Sequence, residues 1–223
     1  MHELDRPVWA SLTTFHAPLA EGNERARRFL RDVNLFASAR DDGGDAQAAL
    51  AALVRPGERV YILQVPTIVV PPPLRTLKAA GGVQMVATRP LADDREHDAV
   101  PLTDADAPEM LALASLTEPG PFLTRTHHMG SFLGIRRDGR LVAMAGERMR
   151  FPGYTEVSGV CTHPDFRGQG FARSLSAAVV AAIQRRGDRA FLHAWATNAP
   201  AITLYRGLGF EVRAEVNVAV LAR

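Results

Sequence analysis

Apolar positions recur with a clear period mainly in the second half of the chain. The run "FARSLSAAVVAAIQRRG", residues 171–187, places Phe171, Leu175 and Val179 on one helical face. It closes with two arginines and a glycine, which helix C-termini favour. The pattern therefore predicts a helix that begins at about residues 168–170.

The segments around this helix alternate between helix-like and strand-like patterns. "DADAPEMLALASL" opens with acids and a proline before helically spaced apolar residues, so it predicts a helix. "RRDGR" joins two apolar runs through Asp-Gly, a hairpin signal. "YTEVSGVC" and "RAFLHAWA" are strand-like. From Thr103 onward the predicted order is helix, hairpin, strand, helix, strand, helix, strand, which indicates an α/β domain.

Residues 1–95 are less periodic. "EGNERARRFLRDV" and "AQAALAALV" predict helices, "RVYILQV" predicts a strand, and the proline-rich "PTIVVPPPL" favours an extended or edge segment. Residues 89–102 combine charges and prolines with few large apolar side chains, as interdomain linkers do. We therefore predict an N-terminal α/β lobe over 1–95 and a second domain over 96–223.

Charge and cysteine content exclude several classes of protein. Lys and Arg total 26 against 24 Asp and Glu, so the net charge of +2 predicts no binding to nucleic acid or to an anionic membrane. The single cysteine, Cys161, excludes an internal disulfide and a multi-cysteine zinc site. The N-terminus lacks the apolar core of a signal peptide, and no apolar run could span a bilayer. We expect a cytoplasmic protein, either a monomer or a homodimer.

The loop "HPDFRGQGFA", residues 163–172, is polar and glycine-spaced where the long helix begins. Backbone N–H groups at a helix N-terminus are unpaired and attract anions, and glycines let a phosphate approach them. The alternative is a turn that only connects a strand to a helix. We predict a pyrophosphate site formed by Arg167, Gly168, Gln169, Gly170, Phe171 and Ala172.

"RGQGFA" resembles the cofactor motif Q/R-x-x-G-x-G/A of the GNAT superfamily of acyl-CoA-dependent N-acyltransferases. "NAPAITLYRGLGFE" resembles the superfamily's later block, with its asparagine, tyrosine and "LGF" in the usual order. The resemblance covers about residues 103–223. It implies a mixed, largely antiparallel sheet flanked by helices, acetyl-CoA as the cosubstrate and an amine as the acceptor. For residues 1–95 we expect a degenerate GNAT-like half that lacks a cofactor loop and narrows the acceptor cleft.

The resemblance also implies roles for particular residues. The strand before the loop and the next strand would splay apart and hold the pantetheine arm between them. Backbone groups of Val160, Cys161 and Thr162 would bind the acetyl group and pantetheine, with an N–H near Val160 facing the oxyanion. Asn198 would contact the cofactor, and Tyr205 would protonate the CoA thiolate. The alternatives are that the three strand residues only pack in the sheet, that Asn198 only caps its helix, and that Tyr205 is a buried structural tyrosine.

Two residues are candidates for the base that accepts the amine's proton. Glu156, acting through water, is favoured narrowly because some GNAT enzymes carry a catalytic glutamate at its place. His193 is second, since its ordinary pKa already suits neutral pH. Alternatively, Glu156 pairs with an arginine such as Arg150, His193 is a satisfied sheet histidine, and the amine arrives deprotonated.

Two further alternatives concern the function as a whole and a pair of histidines. A CoA-binding module that senses or scaffolds without turnover is the competing interpretation of the full chain. His127 and His128 are adjacent, so their side chains point in different directions, and no third ligand follows at a recognisable spacing. The sequence therefore predicts no metal site.

Overall fold

The computed structural model describes residues 2–91 and 99–223. In this part of the chain the α-helices are α1 (Pro7–Leu12), α2 (Gly44–Leu53), α3 (Ala107–Thr117), α4 (Phe171–Arg185) and α5 (Ala199–Gly207). The strands are β1 (Ala20–Gly22), β2 (Ala26–Phe29), β3 (Ala37–Ala39), β4 (Arg59–Gln64), β5 (Arg75–Ala87), β6 (Ala99–Leu102), β7 (Phe132–Arg137), β8 (Arg140–Phe151), β9 (Tyr154–Thr162), β10 (Arg189–Trp195) and β11 (Phe210–Ala222). None of the described helices is both long and apolar enough to cross a membrane.

Eight strands form one sheet in the order β4-β11-β5-β10-β9-β8-β7-β6. Strands β9 and β10 pair in parallel, whereas the other neighbouring strands described in this sheet are antiparallel. A smaller antiparallel sheet, β1-β2-β3, lies beside it and is linked to it by a bridge between Phe36 and Tyr61. The mixed, largely antiparallel sheet flanked by helices is therefore confirmed.

The large sheet contains strands from both sides of the predicted domain boundary. Strand β5, from the first 95 residues, lies between β10 and β11, and β4 pairs with the outer edge of β11. The boundary itself, between residues 95 and 96, lies outside the described residues. Because β5 directly neighbours β10, the N-terminal segment contributes to the sheet next to the parallel pair.

Helices cover both faces of the large sheet. Alternate residues of a strand point to opposite faces, so Leu192 and Phe191 of β10 belong to different clusters. Leu192 packs in the cluster that contains Leu175 of α4. Phe191 packs with Val8 of α1 and with Phe151. The parallel pair of strands is thus buried between two apolar layers.

The helix predicted for residues 21–33 is wrong, because this segment contains β2. Gly22 has a φ of +123°, and the Asn23 side chain accepts hydrogen bonds from Arg25 N (2.9 Å) and Ala26 N (3.1 Å), which forms a turn. Arg28 is buried and donates to Glu58 Oε2 at 2.9 Å. Pairing with β1 and β3 thus overrides the helical propensity of the local sequence.

Candidate active site

Strands β9 and β10 separate after a short region of pairing. Their parallel register runs from Arg189 opposite Tyr154 to Phe191 opposite Glu156 and ends there. From Val157 onward, the edge of β9 that faces β10 has no strand partner in the described part of the chain. Such an edge presents backbone N–H and C=O groups that an extended ligand can pair with.

A bulge in β9 lies within this unpaired stretch. Gly159 has a φ of +64°, and β9 has two residues between Ser158 and Cys161 where β8 has one. A Cβ on Gly159 would come within 2.9 Å of Phe132 Cε1, so only glycine fits there. The bulge changes the direction of the backbone next to Val160.

The glycine loop follows β9 and ends at the start of α4. Gly170 is the N-cap and Gly168 precedes it in the loop, both with a φ of +79°; the predicted helix start is confirmed. Residues 167–170 are exposed, and Ser174 N donates to Gly170 O at 3.0 Å, the first bond of the helix. A Cβ on Gly168 would meet no atom within 4 Å. The glycine loop and the first turn of α4 therefore leave open space beside the backbone, as an anion site requires.

Not all of the predicted loop residues are accessible. The Phe171 side chain is buried in the main core, and the Arg137 guanidinium lies over its ring at 5.0 Å from the centroid. Ala172 is half-buried in the first turn of α4. These two residues can therefore offer a ligand their backbone but little side-chain surface.

A cavity of about 190 Å³ opens where β9 and β10 separate. It brings together Val160, His193, Asn198 and Tyr205, four of the predicted site residues. Its other lining residues come from several elements and include Phe36, Tyr61, Leu63, Gly82, Glu118, Arg148, Gly159, Trp195, Val216 and Val218. The cavity is thus continuous with the unpaired edge of β9.

Helix α5 presents Asn198 and Tyr205 to this cavity. Asn198 caps the helix, its Oδ1 accepting from Ala201 N at 3.2 Å, as its place before Ala199-Pro200 predicts. Tyr205 packs edge-on against Phe210 with ring centroids 5.9 Å apart. Burial raises the pKa of the Tyr205 phenol to about 12, so the hydroxyl keeps its proton at neutral pH. No described residue hydrogen-bonds that hydroxyl, which leaves it available as a proton donor.

Glu156 and His193 form one hydrogen-bonded pair. His193 Nδ1 lies 2.6 Å from Glu156 Oε1, and the carboxylate also accepts from Arg148 Nε (2.7 Å) and Arg148 Nη2 (2.6 Å). Arg150 instead pairs with Asp188 Oδ2 at 3.0 Å, so Arg148 is the arginine that Glu156 binds. Burial alone would raise the pKa of Glu156, but the charge and hydrogen bonds of Arg148 and His193 lower it to about 2. Glu156 is therefore a buried, fully paired carboxylate.

The far side of His193 is held by a residue of β5. Gln84 Nε2 lies 3.0 Å from His193 Nε2 and donates to Leu4 O at 2.8 Å. Arg213 Nη1 donates to Gln84 Oε1 at 2.8 Å, and Arg213 Nη2 donates to Asp5 Oδ1 at 2.7 Å. With its amide so oriented, Gln84 turns its N–H toward His193 Nε2, while His193 Nδ1 faces Glu156.

The free energy of unfolding should fall at acid pH because the Glu156 carboxylate becomes protonated. Its pKa of about 2 lies below the ordinary 4.5, so the ion pair stabilises fully above pH 4.5 and is lost as the pH falls towards 2. That difference corresponds to about 3 kcal/mol of unfolding free energy. Because the carboxyl is only partly protonated in the folded protein at pH 3, Glu156→Gln should lose about 2 kcal/mol less than wild type in urea titrations between pH 6 and pH 3. The exposed control Glu24→Gln should follow wild type; equal pH dependence in all three proteins would contradict the assignment.

Cys161 is buried in β9 beneath α3. Burial raises the pKa of its thiol to about 11, and the thiol therefore stays protonated at neutral pH. Its side chain packs with Met110 and Met144 rather than facing the cavity. Thr162, the last residue of β9, is half-buried. Only the backbone of Cys161 can therefore serve a ligand in the separated region.

The wall of the cavity opposite α5 consists of residues that no sequence motif indicates. Phe36 and Tyr61 come from the N-terminal segment, and Glu118 follows the end of α3. Glu118 has a left-handed backbone (φ 49°, ψ 53°), which is uncommon for a residue other than glycine. The proline-rich "EPGP" after α3 is the signal that could have marked this turn as a rigid wall.

Comparison with known proteins identifies the family. A crystal structure of a GNAT-family protein from Novosphingobium aromaticivorans DSM 12444 is 40% identical in sequence, with a TM-score of 0.94. The alignment covers 100% of this chain and 99% of that one. The chain belongs to the GNAT family. The resemblance of the two sequence blocks to GNAT enzymes is thereby confirmed, and the GNAT fold supports acyl transfer in general, with an acyl-CoA donor and an acceptor.

More distant GNAT structures share the fold. A GCN5-related N-acetyltransferase from Kribbella flavida is 20% identical with a TM-score of 0.62, covering 99% of this chain and 95% of that one. A GCN5-related N-acetyltransferase-like protein from Streptococcus suis 89/1591 is 16% identical with a TM-score of 0.62, covering 97% and 92%. The FR47-like protein family model matches residues 132–219. No curated protein matches the chain.

Proposed function

We propose that this protein is an N-acyltransferase that moves an acetyl group from acetyl-CoA to a primary amine by direct attack. The observation that carries the proposal is the separation of β9 from β10, with a glycine loop at its end and a cavity between the strands. These three features supply an edge for an extended arm, an anion site and a reaction chamber. The acceptor is a small molecule, an amino acid or a peptide.

The donor binds along β9 and the start of α4 in this proposal. The backbone N–H groups of residues 168–172 and the exposed side chain of Arg167 hold the pyrophosphate, since the Arg167 N–H already donates to Pro164 O. The backbone of Val160, Cys161 and Thr162 pairs with pantetheine and the acetyl group. Asn198 uses its Oδ1 as the helix cap, which leaves its amide N–H groups for the cofactor. The exposed glycines of the loop support this placement because they put no Cβ in the way.

The amine nitrogen forms a bond to the thioester carbonyl carbon, and the carbon–sulfur bond breaks as the tetrahedral intermediate collapses. The N–H near Val160 stabilises the negative oxygen. Tyr205 gives its phenolic proton to the departing thiolate, a role that its high pKa and unpaired hydroxyl support. The amine loses one proton, which has to leave through the cavity.

We assign this proton to His193 and a positioning role to Glu156. Glu156 already accepts hydrogen bonds on both oxygens, so it has little capacity left as a base. The carboxylate orients the His193 ring by accepting a hydrogen bond from Nδ1. His193 Nε2 faces Gln84, and Gln84 therefore has to turn its amide when His193 accepts the proton. This reverses the order favoured from the sequence alone.

Part of the cavity wall is apolar and can pack against an apolar group of the acceptor amine. Phe36, Tyr61, Trp195 and Val216 supply apolar surface, and Glu118 supplies a carboxylate. The Glu118 side chain has no hydrogen bond or ion pair with any described residue. In our proposal it attracts the acceptor's ammonium group before that group is deprotonated.

The decisive experiment measures acetyl-CoA binding and CoA thiol release in the presence of amines, amino acids and peptides. Amine-dependent thiol release supports the transferase, whereas binding without release across the panel supports the non-catalytic CoA-binding module. With an active acceptor, kcat/KM of wild type and of His193→Ala is compared across the pH range. If His193 accepts the proton, His193→Ala should be slower and its dependence on pH should differ from that of wild type; equal rates and equal profiles would mean that the amine arrives deprotonated.

Direct attack predicts that the buried thiol of Cys161 takes no part. Cys161→Ala should retain kcat within about threefold, because the thiol is protonated and lies away from the cavity. Initial rates with both substrates varied should give intersecting rather than parallel lines. A loss of turnover in a folded Cys161→Ala protein, together with parallel lines, would indicate an acyl-cysteine instead.

A further inference from the structure

Three side chains that could bind a metal ion meet on the surface near the N-terminus of α3. Asp104 Oδ1 lies 3.1 Å from His127 Nε2 and 3.6 Å from His128 Nε2. The two imidazole rings are nearly perpendicular, at 86°, with centroids 4.5 Å apart. One ligand atom from each residue lies within 4.8 Å of the others. The third ligand that the sequence failed to show is thus supplied by Asp104.

The spacing suits a small divalent ion with nitrogen and oxygen ligands. Ligands held about 2.0–2.1 Å from Zn²⁺ in a tetrahedron lie roughly 3.3 Å apart, so small side-chain movements would bring all three into the coordination sphere. Imidazole and carboxylate ligands favour Zn²⁺ and similar transition metals over Ca²⁺ or Mg²⁺. Three protein ligands leave a fourth position for water.

The chemistry of His127 is compatible with metal binding. Its side chain is 9% exposed, and its Nδ1 is buried with no hydrogen-bond partner among the described residues. No donor therefore forces Nε2 to carry the proton, and Nε2 can present its lone pair next to Asp104. His128 and Asp104 are more accessible, at 35% and 86% exposure, which gives an ion a path to the site.

Both turns that carry these ligands are anchored to the rest of the fold. Thr103 N donates to Asp106 Oδ2 at 2.8 Å, which closes the turn Asp104–Asp106 before α3. Thr126 Oγ1 donates to Val33 O, and Met129 O lies 2.8 Å from His16 Nε2, which secures the turn Thr126–Met129. The backbone that carries the three ligands is thus held in place, which lowers the entropic cost of binding an ion.

We propose that Asp104, His127 and His128 form a binding site for Zn²⁺ or a related divalent transition metal. The segment between Asp104 and His127 contains α3 and residues 118–121. Residues 118–121 line the cavity. A bound ion would join the two ends of this segment and restrict its motion. The site lies apart from the proposed donor-binding residues, so it does not depend on the proposed function.

The test is titration of the full-length, chelator-treated protein with ZnSO₄ by calorimetry at neutral pH. We expect one ion per chain, with affinity reduced at least about tenfold to 100-fold in His128→Ala and in Asp104→Asn. His2→Ala and Asp138→Asn, which remove the same groups elsewhere, should bind as wild type does. Co²⁺ should give visible absorption bands that both site variants lose. Hydrogen exchange in α3 should slow when Zn²⁺ is added to wild type.

Absence of Zn²⁺ binding by wild type would overturn the proposal, as would binding that both site variants retain unchanged. Circular dichroism checks that each variant is folded. Should His128→Ala fail to fold, Asp104→Asn decides the question, because Asp104 is highly exposed and asparagine keeps its shape.

Discussion

Replacing Tyr205 with phenylalanine should lower kcat between about 100- and 10,000-fold, the range typical of a lost general acid. Phenylalanine keeps the ring that packs against Phe210, so the fold and the KM for acetyl-CoA should stay close to wild type. The lost group is a phenol whose burial raises its pKa to about 12 and whose hydroxyl faces no described partner. Single-turnover measurements of CoA release would isolate the chemical step.

The matched control for this variant is Tyr154→Phe. Tyr154 is packed among Phe151 and Phe191 on the α1 side of the sheet, away from the lining of the cavity. It should therefore keep wild-type turnover. If Tyr205→Phe also keeps its turnover, the thiolate leaves without a protein acid and the role assigned to Tyr205 is wrong.

The fold after Thr103 could be predicted because its signals are local. Asp138 and Gly139 have φ values of +50° and +77° in the hairpin turn, and Gly170 caps α4, as their sequence contexts predict. Strand β5 was missed because it has little alternation and contains Gly81 and Gly82. Its place is set by its neighbours: a Cβ on Gly82 would come within 2.9 Å of Ala194 O.

The site was predictable only where it depends on the chain's own local pattern. The sequence offered Glu156 and His193 as alternative bases, whereas the structure pairs them. That pairing follows from the parallel register, which sets Phe191 opposite Glu156 and brings His193 within reach. Gln84 reaches His193 from a strand more than one hundred residues earlier, a contact that periodicity cannot reveal. Long-range pairing thus decides which polar groups are satisfied and which remain available for chemistry.

Gly170→Asp should weaken acetyl-CoA binding about 100-fold or more while the protein stays folded. The Gly170 N-cap holds the first turn of α4 open to an anion, and aspartate adds a Cβ and a negative charge there. Two unit charges about 4 Å apart near a protein surface repel by about 4 kcal/mol. Because about 1.4 kcal/mol corresponds to a tenfold change in affinity, this repulsion is large enough for a loss of 100-fold or more. Calorimetry of CoA binding measures the change directly.

Two controls separate this repulsion from backbone strain. Gly170→Ala adds the Cβ without the charge and should lose less affinity than Gly170→Asp. Gly57→Asp places aspartate at a similar φ of +82°, with no atom within 4 Å of its Cβ, far along the chain from the loop. It carries the same backbone strain and should bind CoA as wild type does. Unchanged CoA affinity in folded Gly170→Asp would remove the loop from the donor site, and with it the placement of the pyrophosphate at α4.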